Sequence, residues 1–144
     1  MAKLNQTRGA QYVMEAQYVF NFDDTAVNTS GNEVDFGKVN VAATSVDIID
    51  LPVDATVVGG SVSCETAFDA ATYNITLGDS TVANRYLTSV DRKAVGVSNL
   101  TPTGFRTDGS PLRLTFTAAD VCTTGKMTVR VMYTVGGRVN ENSI

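Results

Sequence analysis

The clearest pattern in the chain is a ten-residue alternation of apolar and polar positions near its end, from Lys126 to Val135. One set of alternate positions is apolar and consists of Met127, Val129, Val131, Tyr133 and Val135. The other set is polar except for Met132. Alternation with a period of two places each set on one face of a β-strand, so we predict a strand with one buried and one solvent-facing side. Such strands are typical of antiparallel sheets.

Comparable patterns predict seven more strands upstream. These segments are 15–22, 46–51, 55–66, 73–77, 85–93, 96–100 and 112–117. The pattern changes phase between Ile48 and Ile49, which indicates a β-bulge. The pair Gly59-Gly60 inside a strand indicates a bulge, a bend or the close approach of another backbone. Helix is limited to possible single turns at 68–71 and 118–121.

Turn residues separate these segments at intervals of roughly 8–12 residues, and the chain is rich in Val and Thr. We therefore predict an all-β fold, an antiparallel β-sandwich or jelly roll of about eight strands with very little helix. The length of 144 residues suits one domain. We assign it to residues 11–144, after a flexible N-terminal arm of residues 1–10. The arm carries Lys3 and Arg8 without an acidic residue, and it is either frayed or a docking element.

Composition argues against catalysis. The chain has no His, so Ser-His-Asp and Cys-His arrangements cannot form and the commonest metal ligand is missing. We predict no enzyme activity, no cofactor and no metal. Asp23 and Asp24 follow a predicted strand, where a solvated turn is favoured over a cation site. A net charge of −4 with scattered basic residues argues against general nucleic-acid binding.

The chain shows neither a secretory signal nor an apolar run long enough for a membrane span. We therefore expect a protein made in a reducing cytoplasm, without a membrane partner. In that setting Cys64 and Cys122 are expected to be free, buried thiols, although a disulfide between them stays open.

Protein binding is the remaining class of function. Arg, Tyr and exposed apolar side chains make compact contacts between proteins, although outward Arg residues also keep edge strands soluble. The candidate interface residues are Lys3, Arg8, Tyr86, Phe105, Arg106, Arg130 and Met132. Phe105 lies in a Gly-flanked segment, where it is either a core residue or an exposed anchor. Met132 is the apolar residue on an otherwise polar strand face.

Two segments carry a resemblance to a known family. The run 73–80, followed by Arg85-Tyr86-Leu87, and the closing run 125–135 resemble jelly-roll head decoration (cement) proteins of tailed bacteriophages. The likeness extends over about residues 45–139 and does not reach the N-terminal third. It implies a non-enzymatic virion protein made in the host cytoplasm. It also implies a dimer or trimer bound outside the major capsid protein shell, at interfaces between capsomers. No fixed contact motif matches, so the contact residues do not follow from the resemblance.

Two alternatives remain open at this point. The same fold could serve a head fibre, a tail protein or a receptor- or glycan-binding tip, which would need exposed aromatic side chains beside polar ones. A glycan-cleaving enzyme would instead depend on carboxylates, among which Asp23, Asp24, Glu65 and Asp79 are the candidates.

Overall fold

A computed structural model describes residues 13–37, 43–119 and 121–135. This part of the chain contains eleven β-strands. They are β1 (Met14–Asn21), β2 (Thr25–Val27), β3 (Glu33–Asp35), β4 (Thr44–Ile49), β5 (Val53–Thr66), β6 (Tyr73–Gly78), β7 (Leu87–Asp91), β8 (Gly96–Asn99), β9 (Arg106–Asp108), β10 (Leu112–Ala118) and β11 (Lys126–Val135). The predicted arm of residues 1–10 lies outside the described residues.

Two antiparallel sheets face each other. The five-stranded sheet has the order β1-β11-β5-β8, with β9 also paired to β5, and the four-stranded sheet has the order β4-β10-β6-β7. Without the short strands β2, β3 and β9, eight strands remain, and we count them from first to eighth along the chain. Their order is first-eighth-third-sixth in one sheet and second-seventh-fourth-fifth in the other. This is the strand order of a jelly roll, in which one long hairpin wraps into two sheets. The predicted fold class is confirmed.

The eight predicted strands correspond to these eight framework strands, and the predicted irregularities lie where the sequence indicated them. Ile49 pairs with Leu112 and Asp47 with Arg113, so Ile48 is the extra residue of a bulge in β4. In β5 the register to β11 shifts beside Gly59, leaving Val58 as the extra residue. A Cβ on Gly60 would lie 2.3 Å from the backbone oxygen of Arg130, so this position also provides the close backbone approach.

The core between the sheets is centred on a group of aromatic rings. Phe68 and Tyr73 stack with centroids 4.0 Å apart, and Phe20 and Phe36 stack at 4.2 Å. The Tyr73 hydroxyl donates a hydrogen bond of 2.9 Å to the Phe36 carbonyl oxygen, so this buried polar group is satisfied. Around the rings, the inward residues Met127, Val129 and Val131 of β11 are inaccessible, as predicted, while Tyr133 and Val135 are half-buried.

Three details differ from the sequence-based expectations. The short strands β2, β3 and β9 were not predicted, because three residues are too few to show a period of two. The possible turn of helix at 68–71 does not form, since Phe68 instead inserts into the aromatic core. Ala118 belongs to β10 and begins no helix.

Candidate functional site

The outward face of the four-stranded sheet is polar throughout its strands. Its outward positions are occupied by Ser45, Asp47, Asn74, Thr76, Asp91, Arg113, Thr115 and Thr117. Many of these side chains satisfy one another: Arg113 Nε lies 2.8 Å from Asp47 Oδ1, and the Ser45 and Thr115 hydroxyls are 2.9 Å apart. Among the described residues of these four strands, no large hydrophobic side chain is exposed. We call this surface the polar face.

The outward face of the five-stranded sheet has a different composition. One row across β1, β11, β5 and β8 consists of Val19, Thr128, Ser63 and Val97. The next row consists of Gln17, Arg130, Ser61 and Asn99, and a third contains Glu15, Met132 and Gly59. Val97 is 66% exposed, Val19 42% and Met132 37%. Apart from Arg130, small or uncharged side chains occupy the middle of this surface, which we call the valine face.

The valine face brings together three of the predicted interface residues. Arg130 and Met132 are both outward residues of β11. Thr56 of β5 pairs with Thr134 of β11 on one side and with Arg106 of β9 on the other, so Arg106 lies in a further row of the same sheet. The Met132 methyl group lies over Gly59, where a Cβ would be only 2.9 Å away. Because Gly59 lacks a side chain, Met132 lies across the neighbouring strand. Lys3 and Arg8 lie outside the described residues.

Tyr86 does not belong to the surface, which corrects its assignment as an outward interface candidate. Its side chain is 1% exposed, and burial raises the pKa of its hydroxyl. Two backbone bonds fix it at the end of the sandwich: Tyr86 N–H donates to the Leu77 carbonyl, and Thr101 N–H donates to the Tyr86 carbonyl. Its hydroxyl finds no hydrogen-bond partner among the described residues.

Phe105 lies in a connected group of side chains at this same end. The Arg85 guanidinium carbon lies 3.5 Å from the centre of the Phe105 ring, a cation–π contact that covers one side of the ring. Arg85 Nε also lies 2.6 Å from Asp79 Oδ2. Phe105 is half-buried, so it is neither a core residue nor a free anchor. It ties the loop after β8 to the turn after β6.

Asp79 organises the turn after β6. Its Oδ1 accepts hydrogen bonds from the N–H groups of Thr81 at 2.9 Å and Val82 at 2.8 Å. Burial alone would raise the pKa of this carboxyl, but the N–H bonds and the Arg85 guanidinium outweigh it, so the pKa is lowered. The carboxylate is therefore a buried structural acceptor that is already engaged on both oxygens.

Several polar groups at the ends of the valine face have partners. Arg106 Nε lies 2.6 Å from Asp54 Oδ1, and a second guanidinium nitrogen lies 2.8 Å from Oδ2, which makes a two-point ion pair. Thr128 was expected on the solvated face of β11 but is 1% exposed, because neighbouring strands flank it on both sides. Its hydroxyl donates to Glu65 at 2.7 Å, and this bond, followed by the contact with Lys126, lowers the pKa of Glu65.

Three of the four carboxylates considered for other chemistry, Asp24, Glu65 and Asp79, have structural partners. Asp24 accepts a hydrogen bond from the backbone N–H of Asn21 at 2.7 Å, as expected of a turn residue. Within the described ranges, no group of three or more His, Cys, Asp or Glu residues is placed to hold a metal ion, and no cavity is found.

Cys64 and Cys122 are buried and free, and burial raises the pKa of both thiols. The described chain contains no helical segment with the length and hydropathy that a membrane span needs.

Chains from three bacteriophage capsid structures share this fold. A chain of the cyanophage Pam1 capsid asymmetric unit is 16% identical, with a TM-score of 0.65 over 94% of this chain and 93% of that one. A chain of the acid-stable capsid of Helicobacter pylori bacteriophage KHP30 is 18% identical, with a TM-score of 0.58 over 85% and 87%. A chain of the Ralstonia phage GP4 capsid is 12% identical, with a TM-score of 0.51 over 94% and 91%. No protein-family model matches the chain, and no curated protein matches its sequence.

Sequence reasoning identified Met132 and Arg130 but missed the valines beside them. Val97 lies in a four-residue strand and Val19 far away at the start of the chain, and neither stands out in its own segment. Only the strand order β1-β11-β5-β8 places them in one row. One signal was available: Val95 and Val97 are two residues apart, so both valines lie on the same side of an extended strand.

Proposed function

We propose that this protein is a structural component of a tailed-phage virion, and specifically a head decoration protein. In this proposal it binds the outside of the assembled capsid where capsomers meet, and it does so through the valine face. The single observation that carries the proposal is the contrast between the two sheet faces. One face is polar and internally paired, while the other exposes Val19, Val97 and Met132 around small uncharged residues and Arg130.

The composition of the valine face suits a binding surface. Interface centres are depleted in charged residues, and flat surfaces of small side chains lose little side-chain entropy when they are covered. The charged groups Arg106 with Asp54 and Lys126 with Glu65 lie toward the two ends of this face and are already paired. Arg130 in the middle row has no ion pair among the described residues, and Arg is enriched at protein interfaces, so a partner that covers the middle would supply its counter-charge.

The structural neighbours support the virion part of the proposal. These neighbours are chains of phage capsid structures, and the similarity extends over most of both chains. The sequence resemblance to cement proteins of tailed phages is a separate line of support for the decoration role. Self-association as a dimer or trimer is part of the same proposal.

The stabilising effect follows from mass action. A protein that binds the assembled shell but not its dissociated parts lowers the free energy of the assembled state and leaves that of the dissociated state unchanged. A modest affinity at each site is sufficient, because an oligomer engages several equivalent sites and gains avidity.

The proposal is tested with heads of the cognate phage from which the protein has been stripped. Adding back the purified protein should restore occupancy and raise the temperature at which DNA is released. A release temperature that stays the same at full occupancy would contradict the stabilising role. Failure to rebind heads, together with binding to glycans on an array, would instead favour a receptor-binding protein.

A further inference from the structure

The outer edge of β8 presents unpaired backbone groups. Leu100 N–H donates to the Gly60 carbonyl at 3.0 Å, which fixes the alternation of the antiparallel pair between β8 and β5. Within that alternation Gly96 and Ser98 direct their N–H and C=O groups toward β5. Val97 and Asn99 direct theirs away from the sheet. Among the described residues, no other strand lies beyond this edge.

This edge lacks most of the usual protection against strand addition. Natural edges are blocked by short length, by Lys, by Pro, by a bulge or by a covering loop. Of these devices β8 has its short length of four residues. β8 contains neither a charged residue nor proline, and its pairing with β5 is regular. Val95 and Val97, at 68% and 66% exposure, are with Val53 the three most exposed large hydrophobic side chains of the described chain. The free backbone groups thus lie beside an apolar contact surface.

Arg92 provides a second, independent observation next to β8. It directly follows β7, and one of its terminal nitrogens donates to the Gly96 carbonyl at 3.4 Å, so its guanidinium lies on the inner side of β8, between the two sheets. The residue is 9% exposed, and its Nε has no hydrogen-bond partner. No carboxylate of the described residues pairs with it. A buried guanidinium without a counter-ion is costly for the isolated domain.

We propose that the β8 edge binds an extended segment of the capsid protein as an additional strand, and that a carboxylate of this segment pairs with Arg92. Strand addition would satisfy the backbone groups of Val97 and Asn99, while Val95 and Val97 would contact alternate side chains of the added strand. The carboxylate would supply the missing counter-ion. This inference rests on the proposed function, because it takes the capsid protein as the source of the strand.

A proline substitution tests the backbone part of the proposal. Val97→Pro removes an N–H group that points away from β5, so the hydrogen bonds between β8 and β5 stay intact. We expect head binding to weaken by about tenfold or more, with little change in the melting temperature of the free protein. Val97→Ala is the matched control, since it shortens the side chain but retains the N–H group, and it should weaken binding less. Asn99→Pro repeats the test if Val97→Pro does not fold.

Arg92→Met tests the carboxylate. This variant keeps a long unbranched side chain but removes the charge, so the free protein should melt at the same temperature or higher, while head binding falls by about tenfold. A structural role for Arg92 would give the opposite pattern, with lower stability and unchanged binding.

Hydrogen exchange measures the edge directly. The amides of Val97 and Asn99 should exchange fast in the free protein and become protected on heads. Protection already present in the free protein would overturn the proposal, because the chain itself or a second copy would then occupy the edge.

If the wild-type protein binds heads but both substitutions leave binding unchanged, this inference fails while the proposed function stands. If the wild-type protein does not bind heads, the proposed function fails first.

Discussion

The two outward faces of this jelly roll arise from the same alternation of inward and outward residues, but they expose different side chains. Each sheet alternates inward apolar residues with outward residues, as antiparallel sheets with one solvated side do. On the polar face the outward residues pair with each other, as Arg113 does with Asp47. On the valine face Val19, Val97 and Met132 are left without apolar neighbours to cover them. This difference is the reason for the proposal that the valine face, and not the polar face, binds a partner.

The largest expected effect concerns the backbone that shapes the valine face. Gly60 has a φ of 137°, and a Cβ there would clash with the Arg130 backbone. Gly60→Ala should cost about 3 kcal/mol or more in unfolding free energy, because backbone atoms must move. Gly96→Ala in the neighbouring strand is the control, since its Cβ would meet only an Arg92 nitrogen at 3.9 Å. Equal denaturant midpoints for the two variants would show that β5 tolerates a side chain at its bulge.

The next effect concerns the turn at the end of the four-stranded sheet. Asp79→Asn weakens a buried acceptor for two N–H groups and removes the charge that faces Arg85, so stability should fall by about 2 kcal/mol. Asp91→Asn is the control, because Asp91 is exposed on the same sheet and its ion pair with Lys93 is long, at 3.9 Å. Similar thermal melting of both variants would exclude a structural role for the buried carboxylate.

The same carboxylate predicts a dependence on pH. Its pKa in the folded state is lowered, whereas an unfolded Asp has a pKa near about 3.9. Its stabilising contribution is therefore complete above the unfolded pKa and is lost as the pH falls through the folded value. The difference in melting temperature between wild type and Asp79→Asn should shrink between pH 7 and pH 3. A difference that stays constant over this range would contradict the assignment.

A smaller effect, on binding and not on folding, separates the two faces directly. Met132→Glu places a charge on the valine face and should weaken head binding by about tenfold, near 1.4 kcal/mol. Ser89→Glu introduces the same charge at an exposed position of β7 in the other sheet and should leave binding unchanged. Occupancy of stripped heads over a concentration series measures both. Equal losses would mean that the valine face is not the binding surface.

The smallest effect is expected on the polar face. Arg113→Ala removes the partly exposed ion pair with Asp47 and should cost less than about 1 kcal/mol. Head binding should stay at the wild-type level. A strong loss of occupancy with normal melting would assign binding to the polar face and reverse the comparison.

The local sequence pattern was sufficient to predict the framework strands, but it did not show which residues meet on the surface. All eight framework strands were predicted, most of them from the period of two that a buried and a solvated side create, and the bulge at Ile48 was visible as a change of phase. Tyr86 was placed wrongly because it lies in an irregular segment, where only long-range bonds to Leu77 and Thr101 decide its burial. The row of Val19, Thr128, Ser63 and Val97 depends on strand order, which no local pattern encodes.

The central claim is that the valine face, and not the polar face, meets the shell. An electron cryomicroscopy reconstruction of heads decorated with this protein tests it most directly. The account predicts that Val19, Val97 and Met132 are covered by capsid protein, while Arg113 and Thr115 face the solvent. A map in which the polar face contacts the shell and the valine face stays open would contradict the account.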